Sequence, residues 1–381
     1  MRIAFICGSL QPGKDGVGDY TLRLAAELNR MGHTAVAVAV HDAHLKEKVS
    51  GTVNTEGTVL QVLRLPAIWP SRKRLGHVEE WLDSFNPDWV SLQYVMYAFA
   101  PNGLPFLLGH NLRKITQGKK LHIMFHELWI GIDKGSFIKT YTIAALQKFI
   151  IRSMLSLLNP DLVHTHLPAY KSMLEGLGQQ VNSLPVFSNI GVVPIRTDSI
   201  KDKVLKIGFF SQVEFRQPIV LFLSQLMQQA LVHSLDVEVW LIGGTEGRMN
   251  SFKKQIEASL EYKHKVSCTG FLSPEELSGV LQSCTLGLTP VPRHGLGKSG
   301  SVAAFIAHGV PVAAPNVHID FSSSEIGFFS DELRSAVLLC PDYSSLKEAR
   351  TKARQAKKEI ELTTVANKFL SDLGEVKYAG A

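Results

Sequence analysis

The chain is poor in cysteine, and the four it has, Cys7, Cys268, Cys284 and Cys340, are scattered. With no CxxC pair and no metal-ligand spacing, neither a disulfide framework nor a zinc site is expected, and buried free thiols are the plain reading. No apolar run is long enough to cross a bilayer and no low-complexity tract interrupts the chain, so an integral membrane protein and a disordered one are both set aside. The opening Met1-Arg2-Ile3-Ala4-Phe5-Ile6-Cys7-Gly8 has one charge before a short apolar run that stops at glycine. It lacks the longer hydrophobic stretch and cleavage site of a signal peptide, so a soluble cytoplasmic protein is expected. Charge of one sign is also scarce. The net charge of +6 comes from short clusters (Arg72-Lys73-Arg74, Lys119-Lys120, Lys253-Lys254, Lys357-Lys358) and no block, which gives nucleic acid no footprint. Contact with an anionic membrane surface or a polyphosphate ligand stays open.

What the chain does have is length and alternation. Its 381 residues suit two domains, each with its own core. Short apolar runs alternate with amphipathic stretches, the pattern of strand and helix in a doubly wound parallel sheet. Strands are expected at Arg2 to Cys7, Ala35 to Val40, Trp89 to Gln93, Leu121 to Phe125 and Leu162 to Thr165. A helix is expected over Tyr20 to Met31, with Asp19 as its cap and Gly32 at its stop.

Around Leu184 to Lys206 the pattern breaks into Pro, Asn, Gly, Thr and Asp, and it restarts at Ile207-Gly208-Phe209-Phe210. Strands then follow at Val237 to Ile242, Val266 to Thr269, Leu286 to Pro290 and Val310 to Ala314, with a helix over Met249 to Leu260 between the first two. Ser344 to Leu373 reads as helix. The expected division is an N-terminal Rossmann-like domain over 1–195, a second over 196–360, and a tail over 361–381 that crosses back to the first. Ligands of such sheets lie beyond the carboxyl ends of the strands.

Three segments sit there. Gly13-Lys14-Asp15-Gly16-Val17-Gly18-Asp19-Tyr20-Thr21 lies between the first strand and the first helix, where glycines admit a ligand and free helix N–H groups attract an anion. It is not a GxGxxG fingerprint, and His41-Asp42 only approximates the acidic residue a dinucleotide would need. The bland alternative is a loop that merely turns into a helix. His126-Glu127 follows an apolar strand directly, which makes His126 a better candidate for a crevice than His122 inside that strand; His164 and His166 share the position with a weaker case. The third segment runs from Leu286 through Pro292-Arg293-His294-Gly295-Leu296-Gly297-Lys298-Ser299-Gly300-Ser301 into a helix over Val302 to His308. Glycines, serine hydroxyls, a lysine and opening helix amides converge there, as a diphosphate requires. A P-loop is not formed, because its first glycine would fall at Pro292.

Together these segments resemble the retaining glycosyltransferases of family 4, which have the GT-B fold: two Rossmann-like domains facing each other across a deep cleft. The resemblance spans nearly the whole chain. It rests on Gly16-Val17-Gly18-Asp19-Tyr20-Thr21 with Gly32-His33, on the linker Leu184-Pro185-Val186-Phe187-Ser188-Asn189-Ile190, on Val266 to Ser273 with Glu276-Leu277, and on Ala307-His308-Gly309-Val310-Pro311-Val312. It implies that His126 contacts the donor sugar, that Gly16 and Gly18 line the acceptor side and the diphosphate, and that Asp19 orients the loop or the acceptor. It further implies a nucleotide base beside Gly270 and Phe271, and phosphate-cradling amides at Ser299, Gly300 and Ser301. The family's two glutamates, seven residues apart, are missing: the second position is Ala304 and the first is Leu296 or, with an insertion, His294. His294 and Lys298 are the expected substitutes, and Arg216 is the one basic residue where the family's diphosphate-neutralising pair should be.

The implied activity is transfer of a hexose from a nucleoside-diphosphate sugar, most readily UDP-linked, to a saccharide or lipid-linked acceptor. The nucleotide sugar is a substrate, no cofactor is expected, and with no Asp-x-Asp anywhere in the chain no metal is expected either. A catalytically degenerate nucleotide-sugar-binding subunit and a dinucleotide-dependent oxidoreductase or epimerase are the competing readings.

Overall fold

The computed structural model describes residues 1–130, 138–194, 203–260, 265–318, 321–322 and 324–378. The chain forms two compact units: Met1–Leu184 together with Val365–Ala381, and Pro185–Thr364. The main chain thus passes from the first unit to the second and returns to the first with its last helix.

The first unit is built on eight strands: β1 (Arg2–Cys7), β2 (Thr34–Asp42), β3 (Val49–Thr55), β4 (Thr58–Pro66), β5 (Trp89–Tyr94), β6 (Lys120–Phe125), β7 (Leu162–Thr165) and β8 (Asn182–Ser183). Their order is β3-β4-β2-β1-β5-β6-β7-β8. All pairings are parallel except β3 with β4. Helices cover both faces, so every residue of β5 is buried, as expected of a sheet without a solvent side. The expected strands all form. The β3–β4 hairpin was not expected; its two-residue turn holds Glu56 at φ 50° and Gly57 at φ 82°, the left-handed pair of a type I′ connection. β3 is largely exposed and polar, so it carries no hydrophobic run to announce it.

The first helix, α1, covers Gly16–Arg30 and so starts four residues before the expected Tyr20. Asp15, not Asp19, is its cap: Asp15 Oδ1 accepts from the N–H groups of Val17 (3.0 Å) and Gly18 (2.8 Å). The two glycines carry low helix propensity, and the cap overrides it.

The second unit has six strands: β9 (Val204–Phe210), β10 (Asp236–Ile242), β11 (Lys265–Gly270), β12 (Leu286–Leu288), β13 (Val312–Ala313) and β14 (Val337–Leu338). All are parallel, in the order β11-β10-β9-β12-β13-β14. This is the doubly wound Rossmann arrangement, and its strand order reverses between β9 and β12. In the first unit the reversal falls between β1 and β5. Gly8 is needed at that reversal, because a Cβ there would lie 2.6 Å from the backbone oxygen of Ala98 beyond β5.

The expected single helix over Ser344 to Leu373 is three pieces: Tyr343–Ala356, a 3-10 turn over Lys357–Ile360, and Leu362–Tyr378. The last belongs to the first unit from Val365 on. There the fully buried Phe369 packs its ring 6.0 Å from Phe5 and 5.1 Å from His122, centroid to centroid. Among the described residues no helix is long and apolar enough to cross a membrane. Replacing Phe369→Ala should cost about 3–5 kcal/mol of stability. Urea unfolding checks this, and an unmoved midpoint would mean that the last helix contributes nothing to the first unit's core.

Candidate functional site

In the first unit the carboxyl ends of β1, β5, β6 and β7 bring together α1 and a row of buried polar side chains. His126 extends the β5–β6 ladder by donating its backbone N–H to Tyr94 O (3.1 Å). Its ring is 8% exposed, and both ring nitrogens are engaged: Nε2 lies 2.8 Å from Gln93 Oε1 and Nδ1 3.0 Å from His166 Nε2. The side chain is thus closed off within the unit, and a sugar hydroxyl would reach it only in exchange for one of these bonds. Burial, with the neighbouring His166 adding to it, pushes the His126 imidazole well below its ordinary range. Tyr20 packs edge-on against both rings, 5.1 Å from His126 and 5.7 Å from His166.

A correction concerns the glycine segment. Gly16 and Gly18 are the first turn of α1 and no loop, and the amide of Gly18 is already taken by Asp15. Asp19 Oδ1 accepts from the N–H of Gly13 (3.1 Å), which ties down the loop before the helix; burial raises its carboxyl above the usual range, partly offset by that bond. Two carboxylates already meet the positive end of this helix, which makes it a poorer host for a diphosphate.

In the sequence His122, His164 and His166 make a weaker case than His126, and nothing there singles out Ser91, Gln93 or Asp372. All six are buried in this unit. For two of them the signal was available: Ser91 and Gln93 are polar residues two apart within the apolar strand β5, hence on one face of the sheet. The histidines link in a row and do not converge, and among the described residues no group of three or more His, Cys, Asp or Glu could hold a metal ion. Beyond β2, a mainly apolar cavity of about 350 Å³ is lined by His41, Arg74, Phe99, Leu104, Phe106 and Leu107, among others.

In the second unit the strand-order reversal places the end of β12 beside the end of β9. After β12 the chain makes a 3-10 turn over Arg293–Lys298 and then the buried helix Gly300–Ala307. Ser299 caps that helix, its Oγ accepting from Val302 N (3.4 Å) and lying 3.1 Å from Ser301 Oγ. The expected triad of cradling amides is reduced here, since Ser299 donates its own N–H to Leu296 O (3.0 Å). The N–H groups of Gly300 and Ser301 keep the open position of a helix start, with no backbone acceptor among the described residues, and Lys298 is exposed beside them. A Cβ added to Gly300 would meet nothing within 4 Å.

His294 stacks on Phe321, ring centroids 3.8 Å apart and nearly parallel at 7°. Arg293 donates from Nε to Ala314 O (2.9 Å) and so braces the loop. Arg216 precedes the helix Gln217–Val232 at an exposed position, makes no side-chain cap bond, and pairs with Glu214 at 2.7 Å. Gly270, at φ 65°, ends β11, and the ring of Phe271 beside it is 92% exposed. Ala304 and Leu296, where the resemblance places carboxylates, are 0% and 1% exposed within one apolar cluster. A carboxylate at either position would be buried without a cation, so the chain's departure from the pattern is consistent with its own packing.

No protein-family model matches the chain, and no curated protein matches it. Solved structures do. Trehalose-6-phosphate synthase from Burkholderia multivorans is similar over 100% of both chains, with TM-score 0.60 and 10% identity. The pneumococcal O-GlcNAc transferase solved with UDP and GlcNAc is similar over 99% of each, with TM-score 0.58 and 10% identity. A putative UDP-N-acetylglucosamine 2-epimerase from Listeria monocytogenes matches 97% of this chain and 94% of its own, with TM-score 0.53 and 14% identity. These likenesses establish the architecture: the chain has the GT-B fold, with two Rossmann-like domains, each on its own mainly parallel sheet.

The two glycines of α1 give a direct check on this geometry. A Cβ on Gly18 would lie 2.5 Å from the backbone oxygen of Ser9, while one on Gly16 would meet nothing within 4 Å. Gly18→Ala should therefore lower the melting temperature by several degrees, while Gly16→Ala, which removes a flexible residue from a helix, should hold or slightly raise it. Thermal unfolding of the pair reads the difference, and equal shifts would contradict the close approach.

Proposed function

We propose that the chain is a glycosyltransferase that moves a hexose from a nucleoside-diphosphate sugar, UDP-linked, to a saccharide or lipid-linked acceptor. Polysaccharide or glycolipid synthesis on the cytoplasmic side of a membrane is the setting. The observation that carries this reading is the opening of the helix Gly300–Ala307 beyond β12. Two helix-start amides, Gly300 and Ser301, and the exposed Lys298 stand together at the strand-order reversal of a Rossmann sheet, where such folds bind phosphate groups. The whole-length likeness to a putative UDP-N-acetylglucosamine 2-epimerase and to a transferase solved with UDP and GlcNAc supports the same substrate class.

Departure of a nucleoside diphosphate leaves charge on its phosphate oxygens while the sugar carbon becomes oxocarbenium-like. Preorganised N–H donors and a cation lower that barrier, and losing one donor commonly costs about 3–4 kcal/mol. Gly300, Ser301 and Lys298 supply them in this reading, so the step needs no metal. Arg216 joins only by releasing Glu214. The base packs beside Gly270 on the exposed face of Phe271, and His294, held against Phe321, stands in for one missing acidic contact. His126 meets the donor sugar by exchanging its bond to Gln93 for one to a hydroxyl, and Asp19 positions the loop at Gly13. Retention at the anomeric carbon follows the family resemblance. The apolar cavity beyond β2, with Phe106 and Leu107 at its rim, suits the lipid of a lipid-linked acceptor, and Arg72, Lys73 and Arg74 nearby suit an anionic membrane surface.

A nucleotide-sugar epimerase is the second reading, favoured by the likeness to the Listeria monocytogenes structure. Lys298→Ala should weaken UDP binding by about tenfold in a calorimetric titration, consistent with loss of one charge-assisted contact. His126→Ala should lower turnover at least tenfold while leaving UDP affinity nearly unchanged. An unaltered rate removes His126 from the site. Conversion of a UDP-hexose to its epimer without any acceptor would replace the transferase reading with the second one.

A further inference from the structure

The buried polar groups of the first unit form one unbroken hydrogen-bonded chain. It begins at the carbonyl of Leu184, which is 2.7 Å from His166 Nδ1; His166 Nε2 is 3.0 Å from His126 Nδ1; His126 Nε2 is 2.8 Å from Gln93 Oε1. Gln93 Nε2 is 2.8 Å from Ser91 Oγ, which is 2.8 Å from His122 Nδ1. His122 Nε2 is 3.0 Å from His164 Nδ1, and His164 Nε2 is 2.7 Å from Asp372 Oδ2 on the last helix. The strands enforce this order: Ser91 stands in register with His122 across β5–β6, and His122 with Leu162 across β6–β7.

Both ends of this chain, a carbonyl and a carboxylate, only accept. The named distances are seven hydrogen bonds, each needing one hydrogen. The six linking groups are His166, His126, Gln93, Ser91, His122 and His164, and when neutral each places one hydrogen in the chain. One hydrogen is missing, and its location depends on Gln93. With Gln93 Oε1 toward His126, every other bond is satisfied and the gap lies between His126 Nδ1 and His166 Nε2. With the carboxamide turned over, the gap moves to the bond between His164 and Asp372.

We propose that this chain holds one proton beyond the neutral state of its histidines, and that Asp372 and Gln93 are positioning residues that decide whether the charge rests on the His126–His166 pair or beside the Asp372 carboxylate. Passing between the two states shifts the intervening hydrogens by one bond each and turns the Gln93 amide, so no atom enters or leaves the chain. The charge beside Asp372 is an ion pair, which is the less costly burial. Burial pushes His122, His126 and His164 downward, and at His164 Asp372 opposes it through its hydrogen bond and charge while Lys368 adds to the lowering. Asp372 itself is held below the usual carboxylate range, by His164 first and Lys368 second, against its own burial. The ionisable groups facing the chain among the described residues are thus Asp372, Lys368, whose Nζ lies 3.3 Å from the same carboxylate oxygen, and Tyr20, edge-on to His126 and His166.

The sign follows directly. The extra proton is retained below the chain's own pKa and lost as pH rises through it. Asp372→Asn removes the attracting charge and should move that loss to lower pH by about one unit or more; Lys368→Gln removes a repelling charge at a half-exposed position and should move it to higher pH. The test is nitrogen NMR of full-length protein labelled at histidine, which distinguishes imidazolium from each neutral tautomer, recorded against pH. One imidazolium equivalent among the four buried rings, shifted in opposite directions by the two variants, is the expected result. Four neutral rings from pH 6 to 8 in the unsubstituted protein, or a titration that neither variant moves, overturns the proposal. If Asp372→Asn fails to fold, the Lys368→Gln shift alone decides. Gln93→Met should abolish the response of the His126 signals to either variant. The spectra require no turnover. If they behave as expected while the pH profile of sugar transfer ignores both variants, the proton chain stands and the assignment of His126 to the donor site falls.

Discussion

Burial of a parallel sheet on both faces is the constraint from which the rest follows. A side chain inside such a sheet has no water to turn to, so a polar residue there must find its partner in the next strand. Ser91, His122 and His164 do this sideways across β5, β6 and β7, and the row is completed by Asp372 from the last helix. The return of the chain's end to the first unit is therefore held by a polar bond as well as by Phe369.

The same constraint explains where ligand-facing groups can be. Only at the carboxyl ends do side chains and amides escape the sheet, and each unit has one place where reversal of strand order opens room for a ligand. In the first unit that place is largely satisfied from within: Asp15 takes the amides of α1, Asp19 takes Gly13, and His126 is bonded at both nitrogens. In the second unit the helix start at Gly300 remains open, and that difference is why the phosphate is assigned there.

Some residues were readable for one role and serve another. Asp19 has the composition of a cap and sits three residues before Leu22, yet Asp15 caps because its side chain reaches two amides at once. The family resemblance makes Ser299 an amide donor; the 3-10 turn before it consumes that amide. Arg216 was the one cation near the end of β9, and Glu214, two residues away, holds it. In each case the competing group lies within four residues, and backbone curvature, invisible to spacing alone, decided between them.

The order of residues by itself determined the alternation of strands and helices, the break near Leu184, the glycine and serine run leading into Gly300, and the placing of His126 at a strand end. These depend on local periodicity and on neighbours within a few positions. The β3–β4 hairpin, the row from His166 to Asp372 and the core position of Ala304 were decided only by tertiary structure. They join groups as far apart as His164 and Asp372, separated by 208 positions, and their register is set by which strands lie side by side.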